Sequence, residues 1–390
     1  MTFDRTSLPA MDVAGRAGRL RARLGDAGCD ALLVTDLTNI RYLTGFTGSA
    51  ALLLVAPGEM VFVTDGRYRD QAAAQLAAAG VDARLLVGRT REAQRELLAG
   101  PGGAVGRLGL EAEAVTWAQQ RRFAAEWFPG TDVVPTEGLV EGLREVKDAG
   151  EVARIAAACG IADAALAAVR SQLGDEPTEA EVALALEWEM RRLGADGPSF
   201  DTIVAAGPNG AMPHHRAADR RIVEGDLVVV DFGALVDGYH SDMTRTIAVG
   251  EPSPVQRRML QVVGAAQAVG VAAVRAGVPA AQVDEACRAV VRDAGWEEAF
   301  LHGTGHGVGL AIHEPPRVAA GAAGTLADGH VVTVEPGVYL PEHGGVRIED
   351  TVVVTVEGCR TLTLAPKDPA VKPPHAPGAE AAWLQPPPTT

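Results

Sequence analysis

Apolar positions along this chain fall into two kinds of pattern. Short continuous runs, ALLVT (31–35), ALLLV (51–55), MVFVT (60–64), ARLLV (83–87) and AVGRLGL (104–110), have the length and branched content of buried strands. Between them DQAAAQLAAAG and REAQRELLAG read as helices closed by glycine, and EAVTWAQQRRFAAEW as a third helix. Residues from about 11 to 135 therefore predict a small α/β domain. Past Glu145 the period lengthens: Val152, Ile155, Cys159, Ala162, Leu166 and Val169 recur at helical intervals, the stripe of an amphipathic helix. Thr178 and Glu181 form a capping box ahead of VALALEWEMRRL, and Ser253 with Gln256 forms another, with Pro254 at the first helical position. Strand pairs follow each of the two helix pairs, the second predicted over 254–276 and about 280–294.

Acidic residues interrupt these apolar runs at four places, and a histidine in a glycine-rich segment joins them. LVVVDFG carries Asp231, SDMTRTIAV carries Asp242, VVTVEPG carries Glu335 and VRIEDTVVV carries Glu349, while the glycine-rich HGTGHGVGL carries His306. A carboxylate in a buried β run is costly unless a proton, a cation or several hydrogen bonds compensate it. Four gathered in one place would repel at about 4 kcal/mol per pair at 4 Å and an effective dielectric of about 20. Two divalent cations would cancel that charge, which makes a paired-metal hydrolytic centre the reading to test.

The spacing favours one shared site. The interval from Asp231 to Glu335 nearly equals that from Asp242 to Glu349, and the interval between helix starts at Asp148 and Pro254 matches both. Two diverged copies of a helix–helix–hairpin unit, each donating two carboxylates, explain this. Asp237-Gly238 is a hairpin turn signal that sets Asp231 and Asp242 nearly level. Either aspartate alone would read as a turn cap. Arg347 lies two residues from Glu349; a surface salt bridge between them is the plain alternative to a cation that orients a bridging carboxylate. His302, His306 and His313 share one glycine-rich approach, and spacing alone does not choose the ligand among them. His214 and His215 follow Met212-Pro213, and each reads equally as a cleft residue or as solvent-exposed. Asp65, Arg67 and Tyr68 read as an ordinary helix start.

Composition narrows the class. A chain of 390 residues, 47% hydrophobic and 22% charged, holds two or three domains with cores of their own and excludes wholesale disorder. The net charge of −15, with no basic cluster, argues against nucleic acid or an anionic membrane as the main partner. No apolar signal core opens the N-terminus. The apolar stretch around Val262 to Val274 is broken by Gln267 and reads as a buried helix. Cys29, Cys159, Cys287 and Cys359 lack metal or disulfide spacing and suit a reducing cytoplasm. Residues 366–390 are proline-rich and read as a disordered tail.

Residues 197–250 (from GPSFDTIVAAGPNGAMPHH to VVVDFGALVDGYHSDMTRT), 301–316 (LHGTGHGVGLAIHEPP) and 331–351 (VVTVEPGVYLPEHGGVRIEDT) resemble the pita-bread metallopeptidases. The match is to the Xaa-Pro branch, aminopeptidase P and prolidase, and NIRYLTGFTGS with TDGRY resembles that branch's creatinase-type N-terminal domain. The resemblance implies an α/β N-terminal domain over 1–138, an α+β pita-bread domain with an internal pseudo-twofold repeat over 139–365, and a homodimer or higher homo-oligomer. It implies that Asp231 holds one metal, His306 and Glu335 the other, and that Asp242 and Glu349 bridge both. By the same motifs His214 contacts substrate, His313 contacts the scissile carbonyl or oxyanion, His302 helps proton transfer and Glu335 relays the proton. The oxygen-rich donor set favours Mn²⁺, with Co²⁺, Zn²⁺ or Fe²⁺ as alternatives. The function so implied is hydrolysis of the bond between an N-terminal residue and proline, in dipeptides, longer peptides or both. A non-proline aminopeptidase of the same fold and a catalytically silent peptide-binding relative are the competing readings; retention of all five ligand positions weighs against the second.

Overall fold

The computed structural model describes residues 4–371, which divide into two compact units, residues 10–144 and residues 145–371 joined by 4–9. Residues 139–144 thus pack with the first unit, and 4–9 with the second, where the sequence reading placed the boundary at 138.

The first unit is built on a six-stranded sheet in the order Arg84–Val87, Met60–Thr64, Ala51–Val55, Ala31–Val34, Arg107–Glu111, Asp132–Thr136. Ala51–Val55 runs antiparallel to both its neighbours, and the other pairs are parallel. Both faces of the central strands are covered, which is why Leu32, Leu33, Leu53, Leu54, Val61 and Phe62 are fully buried as continuous runs. The helix Arg91–Gly103 continues through Gly100-Pro101-Gly102, past its expected end, and the next strand starts only at Arg107. Packing overrides propensity there: Leu98 is buried, and Gly102 lies so close to the Phe128 ring that a Cβ would collide with it. Tyr68 caps the helix Arg69–Ala78, and the Asp65 carboxylate takes the Arg67 backbone N–H and its guanidinium at 2.7 Å. That trio is a local helix start.

The second unit holds two helix pairs, each packed on its own sheet. Ala149–Val169 and Glu179–Leu193 cover a four-stranded sheet ordered Ala370–Val371, Met243–Val249, Leu227–Phe232, Ile203–Ala206. Pro254–Ala273 and Ala280–Asp293 cover a five-stranded sheet ordered Glu314–Val318, Gly305–Gly307, Val331–Val334, Asp350–Val354, Cys359–Thr361. All three helix starts that the sequence marked, at Asp148, Thr178 and Ser253, carry full capping boxes. Of the predicted stripe on the first helix, Ile155, Cys159, Ala162, Leu166 and Val169 are buried. That helix, extended to Asp175, is the one stretch among the described residues with the length and apolarity of a membrane span, and this face of it belongs to the unit's core. Residues 366–371 depart from the expected tail, since Ala370–Val371 adds a parallel strand to the edge of the first sheet; the rest of that segment lies outside the described residues.

Candidate active site

The two sheets of the second unit bring the five predicted ligands together. Asp231 lies in Leu227–Phe232 with Thr244 as its cross-strand partner, and Asp242 directly precedes Met243–Val249. Glu335 follows Val331–Val334, with its backbone N–H donating to the Thr304 carbonyl at 2.7 Å. Glu349 sits between the strands Gly344–Arg347 and Asp350–Val354, and its N–H donates to the Thr244 carbonyl, so the second hairpin is tied to the first through this residue. One oxygen each of Asp231, Asp242 and Glu349 lies within 4.8 Å of the others. His306 Nε2 is 3.5 Å from Asp242 Oδ2 and 3.4 Å from Glu335 Oε1. Its Nδ1 donates to the Gly307 carbonyl at 3.0 Å, which leaves the Nε2 lone pair facing the carboxylates.

This donor set fits divalent cations on two observations. Asp231 Oδ1 and Glu349 Oε1 are buried and take no hydrogen bond; orphaned buried acceptors are rare unless an ion or water completes them. Burial, with the neighbouring carboxylates Glu349 and Asp231, also holds the Asp242 carboxyl well above its ordinary range. Burial and the charges of Glu335 and Asp231 do the same to Glu349. Glu335 is pushed up to about 8, chiefly by burial. Uncompensated, the cluster would hold protons at neutral pH, and cations remove that cost.

Around the carboxylates lies a layer the sequence reading only partly found. Arg347 meets Asp231 at 2.6 Å and neither Asp242 nor Glu349 directly; the surface Arg347–Glu349 pair does not form, and Arg347 is 3% exposed. Arg347 reaches Glu349 through Thr244, whose hydroxyl accepts from Arg347 Nε at 3.0 Å and donates to Glu349 Oε2 at 2.7 Å. Thr333 holds the other half in the same way, donating to Glu335 Oε1 at 3.1 Å while accepting the His306 N–H. Arg347 Nη1 also donates to the Tyr339 hydroxyl at 2.7 Å, and Tyr339 bonds His302 Nε2 at 2.8 Å. His302 Nδ1 bonds the Gly303 carbonyl, so both ring nitrogens are taken, and burial pushes its pKa down to about 4. The ring thus contacts Tyr339 and, through it, Arg347.

A cavity of about 990 Å³ opens over the cluster, lined by His214 and His313 and by the cations Arg216 and Arg317. His313 stands with its ring centroid 4.3 Å from that of His306. His214 and His215 separate: His214 is exposed in the cavity wall, while His215 Nε2 is bonded to Glu179 at 2.8 Å, a carboxylate buried at the start of its helix. Arg216 and Arg317 were not singled out from the sequence; as single arginines in ordinary polar settings they carry no pattern.

Residues 153–356 match the family model for metallopeptidase family M24, and residues 16–146 match that of the creatinase/prolidase N-terminal domain. An uncharacterized peptidase of Bacillus subtilis is 40% identical over 352 residues, 90% of this chain and 98% of that protein. The solved Xaa-Pro dipeptidase from Bacillus anthracis superposes with a TM-score of 0.87 at 39% identity, covering 92% of this chain and 99% of the other. The X-Pro aminopeptidase from Thermotoga maritima gives a TM-score of 0.82 at 33% identity, with 92% and 99% covered.

Proposed function

The chain belongs to metallopeptidase family M24, and from that premise we propose that it is a dinuclear Xaa-Pro peptidase acting first on dipeptides. The observation that carries the metal reading is the pair of orphaned buried oxygens, Asp231 Oδ1 and Glu349 Oε1, in a cluster of like charges. Asp231, Asp242, His306, Glu335 and Glu349 would hold two divalent ions, with Asp242 and Glu349 shared between them; the hard, oxygen-rich set favours Mn²⁺. Bound there, the ions would supply an activated water at neutral pH and polarise the scissile carbonyl.

The protein groups divide the remaining work. Glu335, whose carboxyl holds its proton up to about 8 without cations, would accept the proton of the attacking water and pass it to the leaving nitrogen. His313 would donate to the oxyanion from its place beside His306. His214 would contact substrate from the cavity wall. Arg216 and Arg317 give that wall two cations in a chain of net charge −15. A dipeptide places its terminal carboxylate just beyond the scissile bond, within the cavity, whereas a longer peptide carries a neutral amide there. The cations favour the dipeptide, as does the likeness to the solved Xaa-Pro dipeptidase.

The deciding test is amino-acid release from an Xaa-Pro dipeptide and an Xaa-Pro-Yaa tripeptide, with Mn²⁺ and after chelation. Metal-dependent cleavage favouring the dipeptide is expected; equal or better cleavage of the tripeptide would move the assignment to aminopeptidase P. No cleavage of either by metal-loaded protein would sink it. A homodimer in the cytoplasm accompanies this reading, checked by light scattering and fractionation.

A further inference from the structure

Four of the histidines in and around the cleft differ in how they are held. His306 is fixed through Gly307, His302 through Gly303 and Tyr339, and His215 through Glu179. The His313 ring makes no hydrogen bond among the described residues. Besides its edge contact with the His306 ring, its direction depends on its own backbone, and the next residue in the chain is Glu314.

Glu314 forms an ion pair with Lys147 at 2.8 Å, with side chains 3% and 1% exposed. A pair this deep adds little net stability, because well-packed apolar side chains would serve as well. What it does supply is a fixed distance and direction. On one side the Glu314 carboxylate is wrapped by the turn that follows His306: a Cβ at Gly309 would collide with it, and the Ala311 N–H approaches Oε2 at 3.4 Å. Glu314 also opens the strand Glu314–Val318, opposite Gly307, so the pair fixes the backbone at the residue that directly follows His313. On the other side Lys147 is anchored by its own N–H to the Gly329 carbonyl and by Nζ to the Glu145 carbonyl at 3.2 Å. It directly precedes Asp148, the cap of the 21-residue helix Ala149–Val169.

We propose that Lys147 and Glu314 are positioning residues for His313: their buried ion pair clamps the 313–314 backbone to the start of that helix and so aims the imidazole over the reacting carbonyl. The proposal rests on the Xaa-Pro peptidase reading for His313's role. Because the oxyanion forms only in the transition state, loosening the clamp lowers kcat and leaves KM in place.

The test uses full-length, Mn²⁺-loaded enzyme and an Xaa-Pro dipeptide. Glu314→Gln is expected to lower kcat about 10- to 100-fold, the scale of a small misplacement of a reacting group, with KM within about twofold and metal content unchanged. In a His313→Ala background the same change should cost nothing further, since both act through one ring. Lys147→Met/Glu314→Leu, which strands no buried charge, keeps the test open if the single variant fails to fold, and is expected to show the same kcat loss. Full, independent losses in the double variant with His313→Ala, or a loss of bound metal in step with kcat, would overturn the clamp. A metal-loaded wild type inactive on Xaa-Pro peptides would refute the activity reading instead. The histidine ring resonances of Zn²⁺-loaded protein, free of paramagnetic broadening, then decide: Glu314→Gln shifts those of His313 and leaves His214 unmoved, or the clamp is wrong.

Discussion

Thr244 shows how much rests on a hydroxyl in this centre: it takes a bond from Arg347 and gives one to Glu349. Arg347 in turn spans Asp231, Thr244 and Tyr339, three contacts that need a planar fork of donors. Lysine offers one point charge in place of that fork. Arg347→Lys should therefore weaken Mn²⁺ binding by about 10- to 100-fold, read by calorimetric titration of the apo protein; unchanged affinity would reduce Arg347 to a packing role. His302 supplies a sharper case. A ring whose pKa is about 4 is already neutral throughout the working range. The pH–rate profile of His302→Gln should keep both wild-type limbs between pH 5 and 9 while its height falls, and a displaced limb would show that His302 carries the proton after all. The four carboxylates of the cluster were legible in the sequence because acidic residues stand out in apolar runs, whereas His306 was set apart from His302 and His313 only by the family resemblance. Thr244, Thr333 and Tyr339 were not, because hydroxyl side chains are ordinary in strands and their partners lie on distant segments of the chain. Arg347 was found, but the carboxylate it holds was not, since Asp231 and Glu349 are equally plausible on spacing alone.

Among the elements, the strand Gly305–Gly307 shows why glycine surrounds His306. It runs between Glu314–Val318 and Val331–Val334, and a Cβ at Gly305 would collide with the Thr333 carbonyl oxygen. Thr333 itself holds both the His306 backbone and the Glu335 carboxylate. Gly305→Ala must push these two strands apart, separating His306 from Glu335 without altering any ligand. Substoichiometric metal after dialysis is expected, with loss of activity in proportion; full metal content would mean the sheet absorbs the methyl. The glycine-rich motif was visible in the sequence as a close approach, but its partner, a carbonyl two residues before Glu335, needed the sheet register. Helix starts were the most readable features, because capping boxes are local and self-contained. Helix ends were less so: Arg91–Gly103 runs through a proline because Gly102 meets Phe128, a contact that no local pattern announces.

For the molecule as a whole, the carboxylate cluster couples folding to pH and to metal. In the absence of cations Asp242, Glu335 and Glu349 hold their protons above the ordinary carboxylate range, Glu335 up to about 8. For Glu335 the unfolded chain releases its proton near pH 4.5, so between there and about 8 the folded apo protein holds a proton that the unfolded chain does not. The stability tied to Glu335 is thus fully present below the ordinary carboxylate pKa and is lost as pH rises through about 8, at up to about 1.4 kcal/mol per pH unit for each proton. Cations replace those protons, and ligation by the folded state alone adds stability that grows with metal concentration over Kd. The melting temperature of chelated protein should therefore fall from pH 5.5 to 8.5, while that of Mn²⁺-loaded protein holds nearly level. The gap between them should widen toward alkaline pH. A gap that stays constant, or narrows, would mean that Arg347 and the threonines compensate the cluster without metal. The two-half architecture makes this a global effect: Asp231 lies in one sheet and Asp242 just ahead of its next strand, while His306, Glu335 and Glu349 lie on the strands and links of the other hairpins. Repulsion at the centre then acts between the halves of the catalytic unit, and chelation should lower its unfolding transition in one step.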